Sequence, residues 1–155
     1  MKNTVEELNA IVNLFSAKIG GIADQEFSAK PLPHKWSKKE VLGHLIDSGQ
    51  NNLRRFICGQ YENKPQITYQ QDFWVTANGY QSMDKDDVIR LWVLTNQRIA
   101  KVLSNMPVEN YNRTCNTGKE KENLHSLQWL AEDYVKHMKH HLNQIIAGSF
   151  DIVYN

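Results

Sequence analysis

Residues 36–47 have the sequence WSKKEVLGHLID, which contains the start of a helix and a histidine carried on it. Ser37 and Glu40 have the spacing of a capping box, in which the hydroxyl and the carboxylate each accept a hydrogen bond from a free backbone N–H group. Trp36 precedes the cap and is a candidate hydrophobic staple. Apolar residues recur beyond it at helical spacing, so we predict a helix over about residues 37–57.

Three further segments show the same periodicity, over about residues 4–19, 82–106 and 126–147. The connections between the four segments have about 15–22 residues, longer than is usual between neighbours in a bundle. Residues 108–119 have room for a short extended piece, but we predict no sheet there. The pattern therefore predicts an all-α four-helix bundle, with connections long enough for a crossover topology.

Length and charge limit the class of protein. The chain has 155 residues and a formal net charge of +1, so we expect one domain over residues 1–155 and neither nucleic-acid nor membrane-surface binding. No uncharged stretch exceeds 11 residues, too few to span a bilayer. The N-terminus does not resemble a signal peptide, and Cys58 and Cys115 match neither a metal motif nor a disulfide framework. We therefore expect a cytoplasmic protein.

Histidines on two of the predicted helices are candidate metal ligands. His137 and His141 lie one turn apart on the apolar face of the fourth helix, and His44 lies at the margin of the apolar face of the second. Burial of imidazoles is costly unless their nitrogens find partners. A divalent ion would meet that need, and three neutral imidazoles leave coordination positions open for chemistry.

The pattern alone leaves a second interpretation open, in which these histidines are hydrogen-bonded core residues. Other catalytic motifs are excluded. Met138 stands where the H-E-x-x-H motif of zinc proteases requires glutamate, and a di-iron bundle needs more than the one E-x-x-H match at residues 122–125. No serine-hydrolase elbow or nucleotide-binding loop is present.

Two segments resemble the DinB/YfiT-like superfamily of metal-binding four-helix bundles. Residues 36–47 are similar to its W-S-x-x-E-x-x-x-H-L-x-D signature, and residues 133–145, DYVKHMKHHLNQI, to its H-x-x-H-H-x-x-Q-I ending. Residues 69–75, YQQDFWV, resemble a linker of the branch that includes bacillithiol-transferase-like proteins. The resemblance implies a long crossover between the second and third helices and a homodimer. It also implies a metal site formed by His44, His137 and His141.

The function implied by the resemblance is a metal-dependent enzyme that acts on a small-molecule substrate. Thiol-dependent transfer is the leading hypothesis, in which the metal activates a low-molecular-weight thiol or water for attack on an electrophile. The alternatives are a metal-dependent hydrolase of the same family and a metal-binding, stress-related bundle without turnover. Zinc or nickel is the expected ion, with manganese or iron as alternatives.

Four other residues are candidates for the surroundings of the metal. Asp47 is either a hydrogen-bond acceptor for His44 or a surface carboxylate. Gln144 forms a structural helix contact or a bond to a ligand histidine. Asp72 and Trp74 are candidate pocket residues, although Trp74 also suits an anchor for the crossover. The remaining histidines are predicted to take no part in the site: His34, His125 and His140.

Overall fold

The computed structural model describes residues 1–154 and consists mostly of helices. The four long helices predicted from periodicity are all present. They are α1 (Lys2–Gly20), α3 (Lys38–Cys58), α5 (Lys85–Asn105) and α6 (Leu127–Ile145). Two short helices lie in the connections, α2 (Asp24–Ser28) and α4 (Gln71–Asn78). The prediction of a four-helix bundle is confirmed.

Three of the four long helices, α3, α5 and α6, begin where a side chain accepts a hydrogen bond from a free backbone N–H group. At α3 the capping box is complete: the hydroxyl of Ser37 accepts from the Glu40 N–H at 3.1 Å, and the Glu40 carboxylate accepts from the Ser37 N–H at 2.8 Å. Asp84 caps α5 by accepting from the Asp86 N–H, and Ser126 caps α6 by accepting from the Trp129 N–H.

The bundle surrounds one apolar core. Helix α3 packs against α5 and α6, and α1 packs against the same two helices. Each contributes large side chains that are almost completely buried, among them Phe15, Phe56, Trp92 and Tyr134. Within residues 1–154, no helix combines the length and the apolarity that crossing a bilayer requires.

The connection from α3 to α5 is held against the bundle at several points. The Arg55 guanidinium donates two hydrogen bonds to the carbonyl of Ile67, at 2.8 and 3.1 Å. Val75 and Tyr80 are buried further along the connection, and the Tyr80 ring packs against Gly43 of α3. The sequence prediction treated this segment as an irregular link and missed α4, because eight residues are too few for a clear helical period.

The absence of a sheet was predicted, and that prediction is wrong for one short hairpin. Strand β1 (Thr114–Asn116) pairs antiparallel with β2 (Leu124–Ser126). Three-residue strands carry almost no alternation signal, which is why periodicity does not reveal them. A buried cysteine, Cys115, and the side chain of Asn116 stabilise the hairpin; the Asn116 amide oxygen accepts from two backbone N–H groups across the turn.

Candidate metal centre

The structure brings together the three histidines predicted as metal ligands. His44 lies in the second turn of α3, while His137 and His141 lie on successive turns of α6 and point towards α3. One ring nitrogen from each residue lies within 4.8 Å of the corresponding atoms of the other two. His44 is only 1% exposed, and the other two are half-buried. Helix packing therefore joins residues separated by 93 positions in the sequence.

The distances fit a shared ion. Nε2 of His44 lies 3.2 Å from Nε2 of His137. Two nitrogens that bind one tetrahedral ion at 2.0–2.1 Å lie about 3.3 Å apart. The donor set of three imidazoles suits zinc and its first-row neighbours. The residues present thus fit a divalent metal.

Neighbouring side chains orient two of the rings. Nδ1 of His141 lies 2.9 Å from the amide oxygen of Gln144, which accepts a hydrogen bond from the Nδ1–H group. Nδ1 of His137 lies 3.5 Å from the hydroxyl oxygen of Ser48. A partner for Nδ1 leaves Nε2 of each ring as the lone-pair nitrogen towards the centre of the group. Ser48 follows His44 by four residues on α3, yet its hydroxyl lies against His137 of α6.

Burial keeps the three imidazoles neutral, as metal ligands must be. Desolvation, together with the nearby His141, lowers the pKa of His44 to about 3. Desolvation and the neighbouring histidines lower the pKa of His137 to about 2. Burial also lowers the pKa of His141, although its bond to Gln144 opposes that shift. At neutral pH, protons therefore compete only weakly with a cation for these nitrogens.

The shifts predict that the metal-free protein loses stability as the pH falls below about 6.5. Between the ordinary histidine pKa of 6.5 and the lowered values of His44 and His137, the unfolded chain binds protons that the folded chain does not. The free energy of unfolding therefore decreases with falling pH. Asp47 opposes the trend, because burial raises its pKa from 3.8 to about 6.

Urea unfolding of chelator-treated protein at about pH 7 and about pH 5 measures this dependence. The double variant His44→Gln/His137→Gln lacks both groups and should lose less stability over the same interval. Equal losses in the two proteins would contradict the assignment of the effect to these histidines.

A cavity of about 830 Å³ adjoins the histidine group. His141 belongs to both, since it also lines the cavity wall together with Gln144 and Trp36. Three lysines and two acidic residues lie around the same cavity. They are Lys30, Lys35, Lys38, Glu26 and Asp72. The volume is that of a site for a small molecule.

Asp47 is not the surface carboxylate of the alternative prediction, because it is completely buried. Its Oδ1 atom accepts hydrogen bonds from the Tyr80 hydroxyl at 2.7 Å and from the Asn78 amide at 2.9 Å. Its Oδ2 atom and Nδ1 of His44 are both buried, and neither has a partner within residues 1–154. The structure therefore shows Asp47 bonded to the crossover rather than to His44.

The structure separates the other candidates by location. Asp72 and Gln144 line the cavity, and Gln144 also contacts His141. Trp74 packs edge-on against Tyr69 within the crossover, with ring centroids 5.6 Å apart, which is the anchoring contact considered above. None of the residues predicted as bystanders belongs to the three-histidine group found within residues 1–154. His34 lines the cavity, His125 stacks on Trp129 and His140 contacts Gln144.

Sequence reasoning missed two contacts of the histidine group. Trp36 stacks on His44, with centroids 5.1 Å apart and planes inclined by 29°. The Tyr154 ring lies 5.5 Å from that of His137, and its hydroxyl donates to Asp133. The position of Trp36, just before the cap of the helix that carries His44, could have indicated this contact. The Tyr154 contact depends on how the chain turns back after α6, for which the sequence holds no comparable signal.

Fold and site together define a helical bundle with a three-histidine group between two of its helices. The family model of the DinB superfamily matches residues 7–145, and the chain belongs to that superfamily. No curated protein sequence matches the chain at a significant level.

The fold is shared with several solved structures, among them the following two. YfiT from Bacillus subtilis, described as a probable metal-dependent hydrolase with an unusual four-helix bundle topology, superposes with a TM-score of 0.83. The two chains are 19% identical, and the match covers 93% of this chain and 82% of YfiT. A mycothiol-dependent maleylpyruvate isomerase gives a TM-score of 0.79 at 9% identity, over 98% of this chain and 64% of the isomerase. At these identities the likeness extends to the fold alone.

Proposed function

We propose that this protein is a metal-dependent enzyme that transfers a small thiol to an electrophilic substrate. The observation that carries the proposal is the convergence of three neutral imidazoles, His44, His137 and His141, beside a cavity of about 830 Å³. The mycothiol dependence of one structural neighbour supports a thiol as the second reactant. A divalent cation on three histidines lowers the pKa of a thiol or water at an open coordination position.

The residues of the chain have separate roles in this proposal. His44, His137 and His141 hold the ion, which we expect to be zinc or nickel, since imidazole nitrogens bind both. Gln144 and Ser48 orient two of the rings through their Nδ1 atoms. The cavity receives the electrophile beside His141, where apolar side chains form part of the wall.

Hydrolysis is the second candidate function. YfiT, which shares the fold over most of both chains, is described as a probable metal-dependent hydrolase. The same ligand set serves either reaction, because water and a thiol can occupy the same open position. A metal-binding bundle without turnover is the third candidate.

Three other properties expected from the sequence also stay predictions. They are the single domain over residues 1–155, the homodimer and the cytoplasmic location.

Activity assays separate these candidates. We expect zinc- or nickel-loaded protein to accelerate the reaction of chlorodinitrobenzene with cysteine or another low-molecular-weight thiol. In that reaction a sulfur–carbon bond forms, chloride leaves, and the thiol proton passes to solvent. Chelation and the His141→Ala substitution should each abolish the acceleration. His125→Ala removes a histidine outside the three-histidine group and should retain it.

Each alternative predicts a different result. Metal-dependent cleavage of nitrophenyl acetate without any thiol, together with no thiol transfer, would favour the hydrolase. Stoichiometric metal with no turnover in either assay, over a panel of thiols and esters, would favour the bundle without catalytic activity. Acceleration that survives chelation would contradict metal dependence.

A further inference from the structure

The three histidine rings of the site are held in different ways. His141 and His137 each have a polar side chain within reach of Nδ1, at 2.9 and 3.5 Å. Nδ1 of His44 is buried and has no hydrogen-bond partner within residues 1–154. Metal-bound histidines almost always donate a hydrogen bond from the second nitrogen, and this bond fixes the ring orientation. His44 therefore needs another contact to hold its ring.

Trp36 makes that contact. Its indole lies against the His44 imidazole with ring centroids 5.1 Å apart and an angle of 29° between the planes. An offset stack of this kind restricts rotation of the imidazole about its terminal torsion, which is otherwise broad.

The backbone beside Trp36 is itself fixed. Ser37 forms the capping box with Glu40, and its hydroxyl also donates to the amide oxygen of Gln81 in the crossover at 2.7 Å. Ser37 is completely buried. Trp36 lies one residue before the cap of α3, where these hydrogen bonds of Ser37 fix the backbone.

We propose that Trp36 is a positioning residue, which fixes the orientation of the His44 ring for metal binding in place of the missing hydrogen bond. The inference rests on the metal site described under Proposed function. The same side chain also lines the cavity wall, so Trp36 contacts both His44 and the cavity.

The test compares metal affinity among variants of the full chain. Trp36→Phe keeps an aromatic face against His44, and Trp36→Leu removes it. The chain offers a matched control in Trp129, which stacks on His125 with centroids 3.8 Å apart and lies outside the histidine group. Zinc affinity is measured by competition with a chromophoric chelator. The visible spectrum of the cobalt(II) form reports ligand geometry independently of activity.

We expect Trp36→Leu to lower the affinity for zinc about tenfold or more and to alter the cobalt spectrum. Loss of a side chain that orients a metal ligand typically has an effect of this size. Trp36→Phe should stay within about threefold of the wild type, and Trp129→Leu should match it. Circular dichroism of the metal-free proteins checks folding. If the leucine variant does not fold, Trp36→Met gives the same comparison.

The outcomes distinguish this inference from the metal site itself. Zinc binding by the wild type with equal affinity and an unchanged cobalt spectrum in Trp36→Leu would overturn the role of Trp36 and leave the site intact. A phenylalanine variant as weak as the leucine variant would also overturn it, because the stack would not be what matters. A wild type that binds no zinc would overturn the metal site and this inference together.

Discussion

Substitution of His137 by alanine is expected to abolish stoichiometric metal binding. Wild-type protein should carry about one divalent ion per chain after incubation with zinc or nickel, and His137→Ala should carry almost none. The physical reason is that His137 supplies one of the three converging nitrogens: its Nε2 lies 3.2 Å from Nε2 of His44, and its ring centroid lies 4.4 Å from that of His141. Elemental analysis of untagged protein measures the ion content directly.

The control for this substitution is His125→Ala. His125 stacks on Trp129 and lies outside the three-histidine group, so its loss should leave the ion content unchanged. Equal metal content in His137→Ala and the wild type would show that the ion binds elsewhere. No metal in any of the proteins, after exposure to zinc, nickel and manganese, would mean that the three histidines are polar core residues.

Substitution of Gly43 by alanine should lower the free energy of unfolding by about 3 kcal/mol, at the upper end of the usual range for overpacking. A Cβ atom on Gly43 would overlap the Tyr80 ring, which is only 2% exposed and has no free space to move into. Displacement of the ring would also break the hydrogen bond from its hydroxyl to the buried Asp47 carboxylate. Urea unfolding measures the change.

Gly20→Ala is the matched control, because a Cβ atom at Gly20 meets nothing within 4 Å and the residue is the last of α1. Its effect should be neutral or stabilising by less than about 1 kcal/mol, since alanine is the better helix former. If both substitutions had the same small effect, the contact between Gly43 and Tyr80 would not be tight in solution.

Much of the fold could be predicted because the signals for the long helices are local. The Ser37 and Glu40 capping box fixes the start of α3, and the apolar period of α6 places His137 and His141 on one face. The short elements α4 and β1 were missed for the opposite reason. Their few residues take a regular conformation only because α4 packs against the bundle and β1 pairs with the next strand of its hairpin.

The site could be predicted only as far as its ligands. Helical spacing brings His137 and His141 together and makes His44 a third candidate, and the resemblance to known bundles implies that the three share one metal site. The surroundings of these ligands depend on tertiary packing. Ser48 contacts His137 of α6 rather than His44 of its own helix. Asp47 accepts hydrogen bonds from two residues of the crossover, Asn78 and Tyr80. Such contacts link segments far apart in the sequence, which periodicity does not report.

The division of the ligands between two helices affects when the site can form during synthesis. His137 and His141 alone make a weak two-point chelate on one helix, while His44 lies 93 residues before His137. The complete site therefore exists only after α6 has been made and has docked on α3. An ion bound there stabilises the native state in proportion to the logarithm of its free concentration over its dissociation constant. Separation of α3 from α6 during unfolding would break the site, so bound metal should also slow unfolding.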